Sequence, residues 1–316
     1  MSELLRVEGL KKYFKTTDGY LHAVDDVSFS IRAGETLGVV GESGCGKSTL
    51  GRVVLHLLDA TEGKIFYDGE DITSVSSAQL KELRKQMQII FQDPFSSLNP
   101  RMTVEEIIEE PLRIYNLYRE SGERNRHVEK LMDVVGLAKR LRRSYPHELD
   151  GGRRQRIGIA RALALRPRFI VCDEPVSALD VSIQAQILNL LQDLQEEMQL
   201  TYLFITHDLS VVKHFSNRIC VMYLGKVMEI SDVDELFENT LHPYTQALLS
   251  AIPIPDPDVP RNRILLRGEI TSPINPKPGC RFAQRCNYAT AACSEKDPEL
   301  RQVADNHWVA CVRAGR

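Results

Sequence analysis

Apolar and polar residues alternate over the first 35 positions. Short runs such as Leu4–Val7, Ala23-Val24 and Val27–Ile31 are broken by glycine and charge. That pattern predicts antiparallel strands joined by turns. Thr36–Val40 is a short apolar run that meets glycine at once, which predicts a buried strand entering a loop. A helix is expected over Ser48–Leu58, and a strand-turn-strand over 63–72. Residues 103–143 are charged and helix-favouring, with apolar Val104, Ile107, Ile108, Leu112, Val128, Leu131 and Val135. They predict a helical subdomain. Phe169–Cys172 and Tyr202–Ile205 read as buried strands, with a helix over Ile183–Leu200 between them. Such a strand-helix-strand unit implies a parallel sheet. Pro243, Pro253, Pro255, Pro257 and Pro260 then crowd one stretch. No periodic element crosses 252–263, so a linker is expected there.

Composition narrows the class. The chain has 316 residues, 43% of them hydrophobic and 26% charged, with a net charge of −3. That is ordinary globular usage, long enough for one large domain with an appendage. The mild negative charge does not suggest a surface for coating nucleic acid. No apolar stretch approaches the ~18 residues that would cross a bilayer, and the N-terminus lacks a signal-like segment. The expectation is a cytoplasmic chain that reaches a membrane only by docking on other chains.

Gly41-Glu42-Ser43-Gly44-Cys45-Gly46-Lys47-Ser48, followed by Thr49, matches G-x-x-x-x-G-K-[ST] between an expected strand and an expected helix. Glycines there let successive backbone N–H groups curl around an anion, and the helix adds its positive end. Lys47 would bridge the β- and γ-phosphates of ATP, and Ser48 would hold Mg²⁺. Asp173 ends the apolar run FIVC, where a second Mg²⁺ handle belongs. Glu174 follows it and can polarise the attacking water.

Further segments fall in a specific order. Gln92 lies in IIFQDPFSSLNPRMTV, and Leu149-Asp150-Gly151-Gly152 with Gln155 precedes Asp173. Ser177-Ala178-Leu179-Asp180 follows Glu174, and His207 sits in ITHD. This set resembles the nucleotide-binding subunits of ABC transporters over about residues 1–240. The resemblance implies an α/β fold, a P-loop NTPase cassette with a mainly parallel sheet core, an antiparallel β subdomain and a helical subdomain. It implies that Gln92 touches Mg²⁺ or the water, that His207 contacts the γ-phosphate, and that Tyr13, or else Phe14, stacks on adenine. It also implies head-to-tail pairing. The signature segment Leu149, Asp150, Gly151, Gly152 and Gln155 would then complete the partner's ATP site, beside the loop Ser177–Asp180.

The family's signature has serine where this chain has Asp150. An ionised carboxylate cannot donate to a phosphate. Near an anionic phosphate it repels by roughly 1–4 kcal/mol at about 4 Å, depending on dielectric. It is also a good helix N-cap. A different ATPase subunit with an orthodox signature is therefore the expected partner. The alternative is that Asp150 is tolerated and the glycine N–H groups bind the phosphate.

The tail carries HPYTQALL, then SPINP, then GCRF. With the Gln92 segment it resembles the oligopeptide/dipeptide importer branch, which also includes importers of nickel, glutathione and oligosaccharides. Two membrane-spanning permease subunits and an external substrate-binding protein are the implied partners, with no nucleic acid. The other reading, a soluble ABC protein acting on nucleic acid or the ribosome, finds no second cassette and no heptad run here. The expected division is a cassette over 1–245 and a small Cys-rich C-terminal domain over 246–316. Cys280, Cys286, Cys293 and Cys311, spaced by five, six and seventeen residues, suit a [4Fe–4S] cluster. Zinc, usually held at tighter spacings, and unligated thiols are the alternatives, with His307 a spare ligand. The expected cofactors are ATP, Mg²⁺ and that cluster.

Overall fold

The computed structural model describes residues 2–253, 263–268 and 272–314. Most of the expected linker, 252–263, lies outside the described residues. In chain order the elements begin with strands β1 (Glu3–Thr16), β2 (Gly19–Arg32) and β3 (Thr36–Val40), then helix α1 (Lys47–Val54). Next come β4 (Glu62–Tyr67), β5 (Glu70–Asp71), α2 (Ser77–Gln86), β6 (Met87–Ile90), α3 (Val104–Ile114) and α4 (Ser121–Val134). They are followed by α5 (Gly151–Leu163), β7 (Phe169–Asp173), α6 (Val181–Met198), β8 (Thr201–Ile205) and α7 (Leu209–Phe215). The chain continues with β9 (Arg218–Tyr223), β10 (Lys226–Asp232), α8 (Val233–Glu238), α9 (Pro243–Ser250), α10 (Ala292–Glu295), β11 (Arg301–Ala304) and β12 (His307–Val309). The chain divides into two compact units, one of residues 1–74 with 204–316 and the other of 75–203.

In the first unit, β2, β1, β4 and β5 form an antiparallel sheet in that order. β3 pairs β9 in parallel, with Val39 opposite Cys220. β9 continues antiparallel to β10, β10 to β12 and β12 to β11. β3 and β9 are buried at every position, as a strand covered on both faces requires. The tail's hairpin thus extends the sheet that carries the phosphate loop.

One buried pair ties that hairpin down. His307 Nε2 lies 2.8 Å from Glu229 Oε1, and both side chains are fully buried. Glu229 also accepts the N–H groups of Leu241 at 2.8 Å and His242 at 3.2 Å. Burial lowers the pKa of His307, but the bonds and charges of Glu229 and Glu235 outweigh it and raise the value above its ordinary 6.5.

The second unit is the expected helical region with a small parallel ladder, β6 beside β7. Thr103 starts α3 with a reciprocal cap: its hydroxyl accepts from Glu106 N–H, and Glu106 accepts from Thr103 N–H. Ile107, Ile108 and Leu112 are buried on α3, as are Val128 and Met132 on α4 and Ile157 and Ala160 on α5. Glu109 is buried too and is held by Arg113 at 2.6 Å and by Arg124. The helix over 151–163 and the strands β9 and β10 were not expected from the sequence pattern.

Glu229→Ala strips three donors of their acceptor and should cost about 3–5 kcal/mol in urea unfolding. A histidine whose folded pKa is raised stabilises fully below its unfolded value and loses that contribution as pH rises through the folded one. The stability gap between native and Glu229→Ala chains should therefore be widest below about pH 6.5 and narrow at higher pH.

Candidate active site

The phosphate loop begins where β3 ends. Gly41 and Gly46 both take positive φ, at 154° and 103°. A Cβ on Gly41 would lie 2.1 Å from the Met222 carbonyl, and one on Gly46 would lie 2.0 Å from that of Ala23. Only glycine fits so close to neighbouring backbone. Ser43 and Gly44 are exposed at the mouth, whereas Cys45 and Lys47 are buried. Lys47 Nζ lies across the loop, donating to the Gly41 carbonyl at 2.8 Å and the Glu42 carbonyl at 3.1 Å. Burial pushes the Cys45 thiol up, against the lowering effect of Lys47, so it is a packed thiol rather than a reactive one. Ser48 and Thr49 lie in the first turn of α1, half-buried.

His207 is exposed one residue past Thr206, whose N–H donates to the Val39 carbonyl at 3.1 Å. That bond ties the His207 segment to the strand that opens the phosphate loop. Tyr13 stacks on His22 with ring centroids 3.8 Å apart, and its hydroxyl donates to Asp25. One ring face is therefore already taken. Burial, then Asp25, raises the Tyr13 pKa and keeps it a neutral donor.

In the second unit, Asp173 is buried at the end of β7. Glu174 takes a left-handed φ of 46°, uncommon for a residue with a side chain. Gln92 Nε2 donates to Glu174 Oε2 at 2.9 Å. The structure thus joins two site residues that stand 82 positions apart. Ser177 Oγ donates to the Glu174 carbonyl at 3.2 Å, Ala178 is exposed, and Leu179 N–H returns to the Val176 carbonyl at 3.1 Å. Asp180 caps α6 by accepting from Ile183 N–H at 3.1 Å.

Asp150 is the N-cap of α5. Its carboxylate accepts from Arg153 N–H at 2.8 Å and pairs with the Arg153 guanidinium at 3.2 Å. Leu149 and Gln155 are buried. The start of α5 fits closely against neighbours: a Cβ on Gly152 would lie 2.6 Å from Ile183, and one on Gly151 would lie 3.0 Å from Leu179.

The four tail cysteines correct the sequence expectation. All are free thiols. Among the described residues, no three His, Cys, Asp or Glu side chains group as a metal site. The iron–sulfur cluster is therefore not supported, nor is His307 a spare ligand, since it is committed to Glu229. The four cysteines line a cavity of about 20 Å³, the room of about one water. Burial pushes the Cys280 thiol up to about 11 and raises that of Cys286 as well, so both stay protonated at neutral pH. Cys280 and Cys286 pack against an apolar cluster that includes Phe282, Tyr223 and Tyr244.

Sequence reasoning also missed two neighbours of the phosphate loop. Glu42 N–H donates to the Tyr244 hydroxyl at 3.0 Å, and Arg285 Nη1 donates to Glu42 Oε2 at 2.7 Å. Nothing local could have found the second, which spans 243 positions.

Comparison with known proteins agrees with this arrangement. The family model described as ABC transporter matches residues 24–177. That of the oligopeptide/dipeptide transporter C-terminal region matches 228–293. The oligopeptide transport ATP-binding protein AppF of Bacillus subtilis is 54% identical, over 98% of this chain and 96% of its own length. The chain belongs to the ABC transporter family. Within it, the oligopeptide transport ATP-binding protein OppF of Haemophilus influenzae is 52% identical over 98% of this chain and 93% of its own. Among solved structures, a dimeric ATP-binding cassette, MJ0796, bound to ADP and Pi matches with a TM-score of 0.67 at 31% identity. It covers 73% of this ABC chain and 99% of that one. The cassette fold is thereby shown.

Removing the cap by Asp150→Ala should lower stability by about 0.5–2 kcal/mol in urea unfolding, while Asp150→Ser keeps an acceptor and most of that stability.

Proposed function

We propose that this ABC subunit binds and hydrolyses ATP to power import of di- and oligopeptides through membrane-spanning chains. The observation that carries this reading is one chain joining a complete phosphate-loop cassette to the C-terminal region of oligopeptide/dipeptide transporters. Relatives over nearly the full length carry oligopeptide transport names, which supports peptides over nickel, glutathione or oligosaccharides. No helix among the described residues is long and apolar enough to cross a membrane, which fits a subunit held at the cytoplasmic face by two permease chains. An external binding protein would deliver the peptide. Residues 1–245 would supply the cassette and 246–316 the transporter-type region.

In this reading the backbone from Gly41 to Thr49 cradles the phosphates. Lys47 exchanges the carbonyls of Gly41 and Glu42 for the β- and γ-phosphates. Tyr13 offers adenine the ring face that His22 does not cover. The Ser48 hydroxyl, the Asp173 carboxylate and the Gln92 amide oxygen are the hard oxygen donors that suit Mg²⁺, which would neutralise charge building on the phosphates. Glu174 takes the proton of the attacking water, and Gln92, bonded to it, orients its carboxylate. His207 donates to the γ-phosphate. Asp150 is already committed as cap and ion-pair partner, so a second, different ATPase with serine at that position is the favoured partner.

Glu174→Gln should cut ATP turnover by about 100-fold or more while ATP still binds. Unchanged turnover would refute the assignment. The same variant, sized by gel filtration with and without Mg-ATP, tests the partner: a monomer in both states supports the heterodimer, and an ATP-driven homodimer refutes it.

A further inference from the structure

The C-terminal region reaches the nucleotide face of its own chain at both ends. Arg281 and Arg285 stand one helical turn apart in sequence. Arg281 pairs with Asp25, the carboxylate that also receives the Tyr13 hydroxyl and lies 3.3 Å from His22 Nδ1. Arg285 pairs with Glu42 inside the phosphate loop and also donates to the Tyr223 hydroxyl at 3.4 Å. Both arginine side chains are nearly buried, at 6% and 10% exposure. Pairs this shielded are not weakened by solvent as exposed surface pairs are.

Glu42 is held at every polar group. Its N–H donates to Tyr244 Oη, its carbonyl accepts from Lys47, and its carboxylate accepts from Arg285. Tyr244 is itself fixed, fully buried against Tyr223 and Phe282 with centroids 4.7 and 5.3 Å away. A carboxylate in a loop built for a polyanion opposes binding unless a cation neutralises it. We infer that Tyr244 and Arg285 are positioning residues for the phosphate loop: they fix Glu42 and cancel its charge, so the C-terminal region sets this chain's own ATP affinity. The inference rests on the loop being the ATP site.

The test is binding of a fluorescent ATP analogue to the full chain, at low and high salt. Arg285→Gln should weaken binding on the order of tenfold at low salt, with a smaller loss at high salt, because the penalty is electrostatic. Arg285→Lys keeps the cation and should recover most of the affinity. In a Glu42→Gln background, Arg285→Gln should change little, since the charge it answers is gone. A purely structural arginine would give a loss that neither salt nor Glu42→Gln relieves, and that result overturns the inference. Tyr244→Phe keeps the ring and removes only the hydroxyl. It should weaken ATP binding severalfold at either salt, as about one lost hydrogen bond would. If Arg285→Gln does not fold, native affinity in Tyr244→Phe is enough to overturn the inference. If the native chain binds no nucleotide, the failure lies with the ATP site itself.

Discussion

The phosphate loop runs so close to neighbouring backbone that its two ends have no room for a side chain, and the first unit is arranged around that constraint. Gly41 abuts the Met222 carbonyl on β9, and Gly46 abuts Ala23 on β2. A loop that turns its N–H groups outward to an anion must satisfy its carbonyls inward. Here Gly225 N–H donates to the Cys45 carbonyl at 2.9 Å, and Lys47 serves the carbonyls of Gly41 and Glu42. Gly225 also accepts from Asp25 N–H at 2.8 Å, so the β9–β10 turn bridges the loop to β2. The Gly225 bond and the two close glycine contacts form a wall that holds the loop backbone without help from a ligand, so the reorganisation that binding asks for is mainly that of Lys47.

The same wall explains why the tail belongs physically to the first unit. Tyr223, at the end of β9, contributes to an aromatic cluster with Tyr244 and Phe282, its ring 4.7 and 5.4 Å from theirs. That cluster backs the phosphate loop on the side where Glu42 lies. Beside β10, toward the edge of the sheet, the tail's hairpin is pinned by Glu229 and His307. Residues from α9, the Cys-bearing segment and the last hairpin thus pack on strands laid down before Asp232. Their apolar surface has no separate core to fill.

Much of this was legible because local rules and tertiary packing agree. The run Thr36–Val40, the glycines after it and the run Phe169–Cys172 are strands and loop as their composition predicts. The helical subdomain followed from apolar spacing over 103–143. What escaped has a physical reason in each case. Arg218–Tyr223 opens on an arginine before its apolar run, and Lys226–Asp232 mixes lysine and acidic residues with apolar ones. The burial of Arg218 and Glu229 follows from the pairs Arg218–Glu35 and Glu229–His307, which no local window contains. The cysteine spacing was compatible with a cluster, and the four residues do line one small cavity, but that cavity has the room of about one water. The chain instead gives Cys286 Sγ the Tyr288 N–H at 3.4 Å and sets Cys293 3.6 Å from the Thr290 hydroxyl. Glu42 illustrates the same limit: the motif marks it as a free position, yet three long or medium-range partners fix it.

Asp150 shows how one residue can satisfy a fold and limit its chemistry. Serine and aspartate are nearly equal as N-caps, so α5 loses nothing by the change. The carboxylate accepts from Arg153 N–H as a serine oxygen would, and adds the ion pair with the Arg153 side chain. A phosphate approaching that helix end seeks the same N–H groups and the same positive dipole. The carboxylate already answers both and, being ionised, has no proton to give. Ion pairing with Arg153 reduces its charge but does not restore a donor. The helix terminus is therefore better built to hold itself than to clamp another chain's nucleotide. On the proposed reading, Lys47, Asp173, Glu174 and His207 would carry the groups for hydrolysis of this chain's own ATP. On that same reading, the capped helix terminus is the physical argument for pairing this subunit with a different ATPase.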